Sequence, residues 1–204
     1  MLNSEHLIVK NLKDFPIEKM EGKDWQPVLD KGIKILDEHG MNWQLGSGTL
    51  LGIIREKDGY IHHDTDIDID IMINSVDKDL HNARVDGIVQ DFEKNGFELV
   101  RLQLYAFLPM QVAFLHKDND LLFDLCFYYD GFGTDYVNVY EHGLFLRPPY
   151  SVKDIGLFEF KGKEYRIPYD YNKYLNGRYG KDWKTPKKYK ESGEKDAANY
   201  LVIL

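Results

Sequence analysis

The 204 residues are 43% hydrophobic and 14% aromatic, enough apolar material for one real core, and a single domain over residues 1–204 is expected. Lys and Arg number 26 against 34 Asp and Glu, a formal net charge of −8. With no long basic run, that balance argues against DNA or RNA as the main partner, because affinity for a polyanion rests on neutralising phosphates, while a small phosphorylated ligand needs only local positive charge or a metal.

Residues 25–39 place Trp25, Val28, Leu29, Ile33 and Leu36 at helical spacing, with Gly40 as the stop. NWQL (42–45) reads as a short strand running into GSGTLLGIIREK, where Ser47 or Thr49 is expected to cap a short helix. Asp58-Gly59 marks a turn, and a strand follows over about 66–73. Ser75 is expected to cap a helix over about 76–95, with Leu80, Val85, Ile88, Val89 and Phe92 inward and Gly96 ending it. Residues 97–105, 110–116 and 121–129 read as strands, the last two joined by a hairpin turn at KDND (117–120). GLFEFKGKEYRIP reads as a hairpin around Lys161-Gly162, and 169–180 as a helix ending at Gly180. Helices alternating with strands before a strand meander predict an α/β (α+β) fold, a mixed β-sheet flanked by helices.

The stretch HHDTDIDIDIM (62–72) carries the chemistry. Residues two apart share a strand face, so Asp66, Asp68 and Asp70 point one way and Ile67, Ile69 and Ile71 the other, into the core. Two carboxylates at about 4 Å and an effective dielectric near 20 repel by about 4 kcal/mol. Either full hydration on a charged edge strand or a divalent cation would offset that cost, and hard carboxylate oxygens suit Mg2+ or Mn2+. Asp124, the one acid within the apolar run LLFDLCFYY, is costly to bury unless paired or bound to metal. Upstream, GSGTLLG is a glycine-rich strand-to-helix turn that offers backbone N–H groups to a phosphate. Read alone it fits a tight turn as well, since G-x-G-x-x-x-G is one residue longer than the dinucleotide fingerprint. Cys126, the single cysteine, excludes an internal disulfide and a cysteine-rich zinc site, and reads as buried packing. The sequence shows no signal-peptide run and no membrane span, so a cytoplasmic protein is expected.

The combination of a Gly-Ser turn, an apolar-D-x-D strand and a later acid resembles the nucleotidyltransferase superfamily of the DNA polymerase β type. It is more closely similar to the LicD and fukutin-related branch. GSGTLLGIIR (46–55) stands where that branch has G-T-L-L-G-x-x-R, HHDTDIDIDIM where it has a tryptophan-and-aspartate run ending in D-I-D-I, and RYGKDWKTP (178–186) where it has Y-G-x-D-W-x-T-P. His63 replaces the tryptophan, and Asp70 a small residue.

The resemblance implies a nucleotidyltransferase-like fold and metal-dependent transfer of a phospho-alcohol group, phosphocholine-like, from a CDP-linked or other nucleotide-linked donor to a glycan or other small hydroxyl acceptor. Asp66, Asp68 and Asp124 would hold Mg2+ or Mn2+, with Asp124 as ligand or as base for the acceptor hydroxyl. Gly46, Ser47, Gly48 and Thr49 would seat the donor phosphate. Arg55 is assigned to the donor as well, although it lies about two helical turns past Ser47 and would face the metal side from the loop beyond. Asp64 reads as a turn acid, Asp70 as a support for the catalytic face, and His63 and Lys181 as edges of the site. Tyr179 and Trp183 read either as a cap on the sheet or as contacts to the nucleotide base or acceptor. The rival readings are nucleotidyl transfer from an NTP to a small molecule or RNA, and a nucleotide-binding module without catalysis. His62-His63-Asp64 also matches a His-Asp metal pair of phosphohydrolases, but that fold is all-helical and the strands here argue against it.

Overall fold

The acid-isoleucine alternation produces an interior strand of a mixed sheet. The computed structural model describes residues 8–9, 15–73, 78–105, 108–129, 137–139, 145–147, 152–186 and 201–203. In chain order the elements are β1 (Ile8–Val9), α1 (Trp25–Glu38), β2 (Asn42–Leu45), α2 (Ser47–Arg55), β3 (Asp66–Ile73), α3 (Lys78–Lys94), β4 (Phe97–Tyr105), β5 (Leu108–His116) and β6 (Leu122–Tyr129). Then follow β7 (Val137–Val139), β8 (Phe145–Arg147), β9 (Ile155–Phe160), β10 (Lys163–Pro168), α4 (Tyr171–Tyr179) and β11 (Leu201–Ile203).

β3 lies between β2, antiparallel to it, and β6, parallel to it. From β6 the sheet continues antiparallel through β5 and β4 to β1. The last two residues of β6 pair with β7, which leads on through β8 to β11. β9 and β10 form a separate hairpin, turned by Lys161 (φ 50°) and Gly162 (φ 77°). Two consecutive positive φ values belong to a two-residue turn whose twist matches its strands.

One face of the sheet is the core. Ile67, Ile69 and Ile71 are fully buried and sit in register with Phe123, Leu125 and Phe127 of β6. α1 packs onto this face through Trp25, Val28, Leu29, Ile33 and Leu36, the residues whose spacing predicted the helix. α3 adds Val85, Ile88 and Phe92, with the Phe92 ring stacked on Phe114 at 4.3 Å. Ser75 and the Leu80 side chain lie outside the described residues.

α2 and α4 serve the opposite, acid face. The expected cap by Ser47 or Thr49 is absent: Gly46 is the N-cap residue and has no side chain to offer the first turn. The Thr49 hydroxyl is instead turned to the strand, where it accepts the Asp68 backbone N–H at 2.8 Å. The short strands β1, β7, β8 and β11 were not expected, because two or three residues carry no readable alternation. Among the described residues no helix is long and apolar enough to cross a membrane.

α1 approaches the sheet through Gly32, where an added Cβ would stand 2.3 Å from Cζ of the Phe123 ring. Alanine gains about 1 kcal/mol in helix propensity over glycine. Phe123 is fully buried against Phe92 and Phe97 and has little room to yield. Gly32→Ala is therefore expected to lower stability in urea denaturation by about 1–3 kcal/mol. A stabilised variant would mean that α1 sits further from the sheet.

Candidate active site

Parallel pairing of β3 with β6 sets Asp68 directly opposite Asp124. Asp66, Asp68 and Asp124 each present a carboxylate oxygen within 4.8 Å of the others. Hydration does not offset this crowding, since Asp68 is 9% exposed, Asp124 4% and Asp70 1%, on interior strands. A hydrated, charged edge strand is thereby excluded.

Burial dominates the electrostatics. It pushes the Asp68 carboxyl well above the ordinary range, helped by the charges of Asp66, Asp64 and Asp124. It raises Asp124 to about 7, with Asp66 adding repulsion while Arg101, Gln111 and Arg178 pull the other way. Asp64 is raised to about 8, first by burial and then by its hydrogen bond to Asp66 and that residue's charge. Asp64, read from sequence as a turn acid, thus belongs to the cluster. Its main chain is pinned by the Met20 N–H, which donates to its carbonyl at 2.8 Å. Asp70 is raised to about 6 by burial, against Arg178 and the Tyr174 hydroxyl, which donates to its Oδ2 at 2.9 Å.

Asp124 is held by one oxygen only. Gln111 Nε2 donates to Oδ2, while Oδ1 is buried and has no hydrogen-bond partner. A buried acceptor left bare costs free energy, and so marks a place where a ligand belongs. Three convergent carboxylates with one orphaned buried oxygen fit a hard divalent cation such as Mg2+ or Mn2+.

The glycine turn is shaped by these acids. Ser47, at φ 40°, makes the sharp change from strand to helix. A Cβ at Gly46 would stand 2.4 Å from Asp70 Oδ1, and one at Gly48 2.2 Å from Asp64 Oδ2. Any side chain there would strike protein before it met a ligand. The Gly48 N–H donates to Asp68 Oδ2 at 2.9 Å, and the Ser47 N–H to the Tyr174 hydroxyl at 2.9 Å. The positive end of α2 is therefore aimed at the carboxylates.

Arg55 lies at the far end of α2, about 12 Å along the axis from Ser47. Its guanidinium donates to Glu56 at 2.6 Å and to the Trp183 carbonyl at 2.8 Å, so in this structure it ties down the tail segment. Trp183 is buried within the core cluster and Tyr179 is packed against it, as a cap on the sheet would be. His63 is half-buried, its pKa lowered by burial and by Arg55, and Lys181 is exposed. Cys126 shares the acid face beside Asp70, with its thiol pushed well above the ordinary range by burial and the surrounding acids.

Four contributors escape the sequence reading. Tyr174 and Arg178 stand four apart on α4, a spacing that puts both on one helix face. The Arg178 charge bears on Asp68, Asp70 and Asp124 together. Gln111 and Arg101 approach Asp124 from β5 and β4.

A family model described as "LicD/FKTN/FKRP, nucleotidyltransferase domain" matches residues 40–170. No curated protein sequence matches the chain. Among solved structures, the lincomycin-bound lincosamide antibiotic adenylyltransferase LnuA aligns with TM-score 0.44 at 12% identity, over 74% of this chain and 82% of that one. ANT(2")-Ia in complex with adenylyl-2"-tobramycin aligns with TM-score 0.42 at 12% identity, over 72% and 70% of the two chains.

Each raised carboxyl has a folded pKa above its unfolded value of 3.8, so the folded chain holds protons that the unfolded chain has released. Stability is then greatest on the acid side and is lost as pH rises through about 6, 7 and 8, where Asp70, Asp124 and Asp64 ionise. In chelator, the melting temperature should fall from about pH 5.5 to about pH 8.5 by several degrees, and Asp124→Asn should flatten that slope. An identical slope in the variant would show that Asp124 is ionised throughout.

Proposed function

The chain belongs to the LicD/FKTN/FKRP nucleotidyltransferase domain family, and from that premise we propose a metal-dependent transferase that moves a phospho-alcohol group, of the phosphocholine kind, from a CDP-linked donor to a hydroxyl of a glycan or similar acceptor. The observation that carries this reading is the convergent trio Asp66, Asp68 and Asp124 with its bare, buried Asp124 Oδ1. Transfer between oxygen atoms at phosphorus needs charge neutralisation and alignment more than a protein nucleophile. Mg2+ or Mn2+ held by the three carboxylates would neutralise the donor diphosphate and polarise the phosphorus under attack.

The chain's own groups supply the rest. The acceptor hydroxyl gives its proton to a carboxylate of the cluster as its oxygen bonds to the phosphorus that carries the alcohol. The bond from that phosphorus to the bridging oxygen breaks, and CMP leaves with the electron pair. Asp124 acts as cation ligand or as the base in this scheme. Arg178 adds fixed positive charge beside the acids, and the N-terminus of α2 adds partial positive charge. The donor phosphate must approach that helix end past two N–H groups already engaged, those of Ser47 and Gly48. Gly46 through Thr49 would then act on the donor mainly by the helix field. Arg55 would reach it only by releasing the Trp183 carbonyl.

The product separates this reading from its rivals. Purified protein with Mn2+ and CDP-choline should release CMP when a hydroxyl acceptor is supplied. Pyrophosphate release from an NTP would assign nucleotidyl transfer instead, and metal-independent nucleotide binding without turnover would assign a binding module. Mn2+ should raise the melting temperature of the wild type, and the double change Asp66→Asn with Asp68→Asn should abolish that gain. Asp124→Asn should keep or raise metal-free stability, because repulsion is relieved. It should cost turnover about a thousandfold, or about 4 kcal/mol of transition-state stabilisation. A destabilised variant that still turns over at the wild-type rate would remove Asp124 from the site.

A further inference from the structure

One cross-strand row runs through four strands. Arg101 on β4 pairs with Ala113 on β5, Ala113 with Asp124 on β6, and Asp124 with Asp68 on β3. Alanine is too short to link Arg101 with Asp124, and the side chain of Gln111, two residues along β5, links them instead. Arg101 Nη1 donates to Gln111 Oε1 at 3.0 Å, and Gln111 Nε2 donates to Asp124 Oδ2. We propose that Arg101 and Gln111 are a positioning relay that fixes Asp124 so that its Oδ1 is presented to the cation. The proposal rests on the metal reading above and names the groups that set the geometry of its third ligand.

An amide is two-faced, and its oxygen turned to a carboxylate would repel it. Arginine has donors only, so its bond to Gln111 Oε1 decides which way the amide points. The amide nitrogen is thereby committed to Asp124 Oδ2, and the buried Oδ1 is left without a hydrogen bond. The neutral spacer matters as well. An arginine paired directly with Asp124 would hold both oxygens and neutralise the charge a cation needs. A glutamine between them orients the carboxylate without cancelling it. Both partners also favour the ionised form of Asp124. The two bonds run from Arg101 to Gln111 and from Gln111 to Asp124, so their role is to position Asp124, in the way that partners behind a metal ligand set its direction.

The test is Mn2+ affinity of the full chain, read from the free-ion electron paramagnetic resonance signal, beside the melting temperature in chelator. Gln111→Leu and Arg101→Met should each weaken Mn2+ binding by about 10–100-fold. Arg101→Lys, which can still donate to Oε1, should recover most of the affinity that Arg101→Met loses. Should Gln111→Leu fail to fold, Gln111→Asn keeps the amide but is too short to link Arg101 with Asp124, and should show the same loss. Folded Gln111→Leu and Arg101→Met proteins that bind Mn2+ within about twofold of the wild type would overturn the relay while leaving the metal reading intact. Equal affinity of Arg101→Met and Arg101→Lys would also overturn it. A wild type that binds no Mn2+ would overturn the metal reading and the relay with it.

Discussion

Asp68 and Asp124 face each other across a parallel strand pair at 9% and 4% exposure, and much of the fold around them answers that repulsion. The register that creates the pair is fixed from the opposite face. A slip of one residue in β3 would turn Ile67, Ile69 and Ile71 toward the acids and drive three carboxylates into a core of Phe123, Leu125 and Phe127. The apolar face therefore specifies the acid face. Hydrophobic burial of about 25 cal/mol per Å2 across three isoleucines is ample to hold the register against charge repulsion of a few kcal/mol.

The response on the acid face is distributed. α2 enters at Gly46 with its N-terminus toward the cluster, and glycine at 46 and 48 admits the carboxyls of Asp70 and Asp64 to within contact of the helix. Tyr174 joins α4 to both β3 and α2, accepting from the Ser47 N–H and donating to Asp70. Arg178, one turn further on, brings a full positive charge. The far end of α2 is held by Arg55 on the Trp183 carbonyl, so the segment after α4 is fastened to the helix whose other end meets the acids. The conformation of α2 is thus determined at both ends by groups distant in sequence.

The parts of the site legible in the sequence are those where periodicity alone fixes geometry. Asp66, Asp68 and Asp70 share a face because strands repeat every two residues, and Asp124 stands out as one acid in an apolar run. The family resemblance then assigned Asp124 to the same metal site, and the structure supplies the strand pairing that brings it there. Other parts depend on what a neighbour lacks. Asp64 reads as a turn acid because it precedes the regular strand, and its burial depends on the missing Cβ of Gly48. Gln111 is an ordinary polar residue in a strand until the register sets the short Ala113 opposite Asp124. Arg55 fits a motif for donor binding, yet its helix carries it to Trp183. Ser47 and Thr49 look like caps, but the strand is close enough to take the Thr49 hydroxyl for itself. At these caps a tertiary contact outweighs a local preference of about 1 kcal/mol.

The same crowding couples metal to protons. With Asp124 raised to about 7 and Asp64 to about 8, the metal-free cluster near neutral pH is only partly ionised. A cation bound by these carboxyls would displace protons, and its apparent affinity would rise with pH until the last carboxyl has ionised. Groups that favour the charged form of Asp124 before the cation arrives lower the proton's claim on the site. Gln111, Arg101 and Arg178 all act in that direction. They differ in consequence: Arg178 bears on three acids together, while Gln111 acts on one oxygen of one acid. General positive charge makes the cluster tolerable, whereas a single directed hydrogen bond decides which oxygen remains for the cation. Burial of the carboxyls would drive cation binding, and the relay through Gln111 would set its direction.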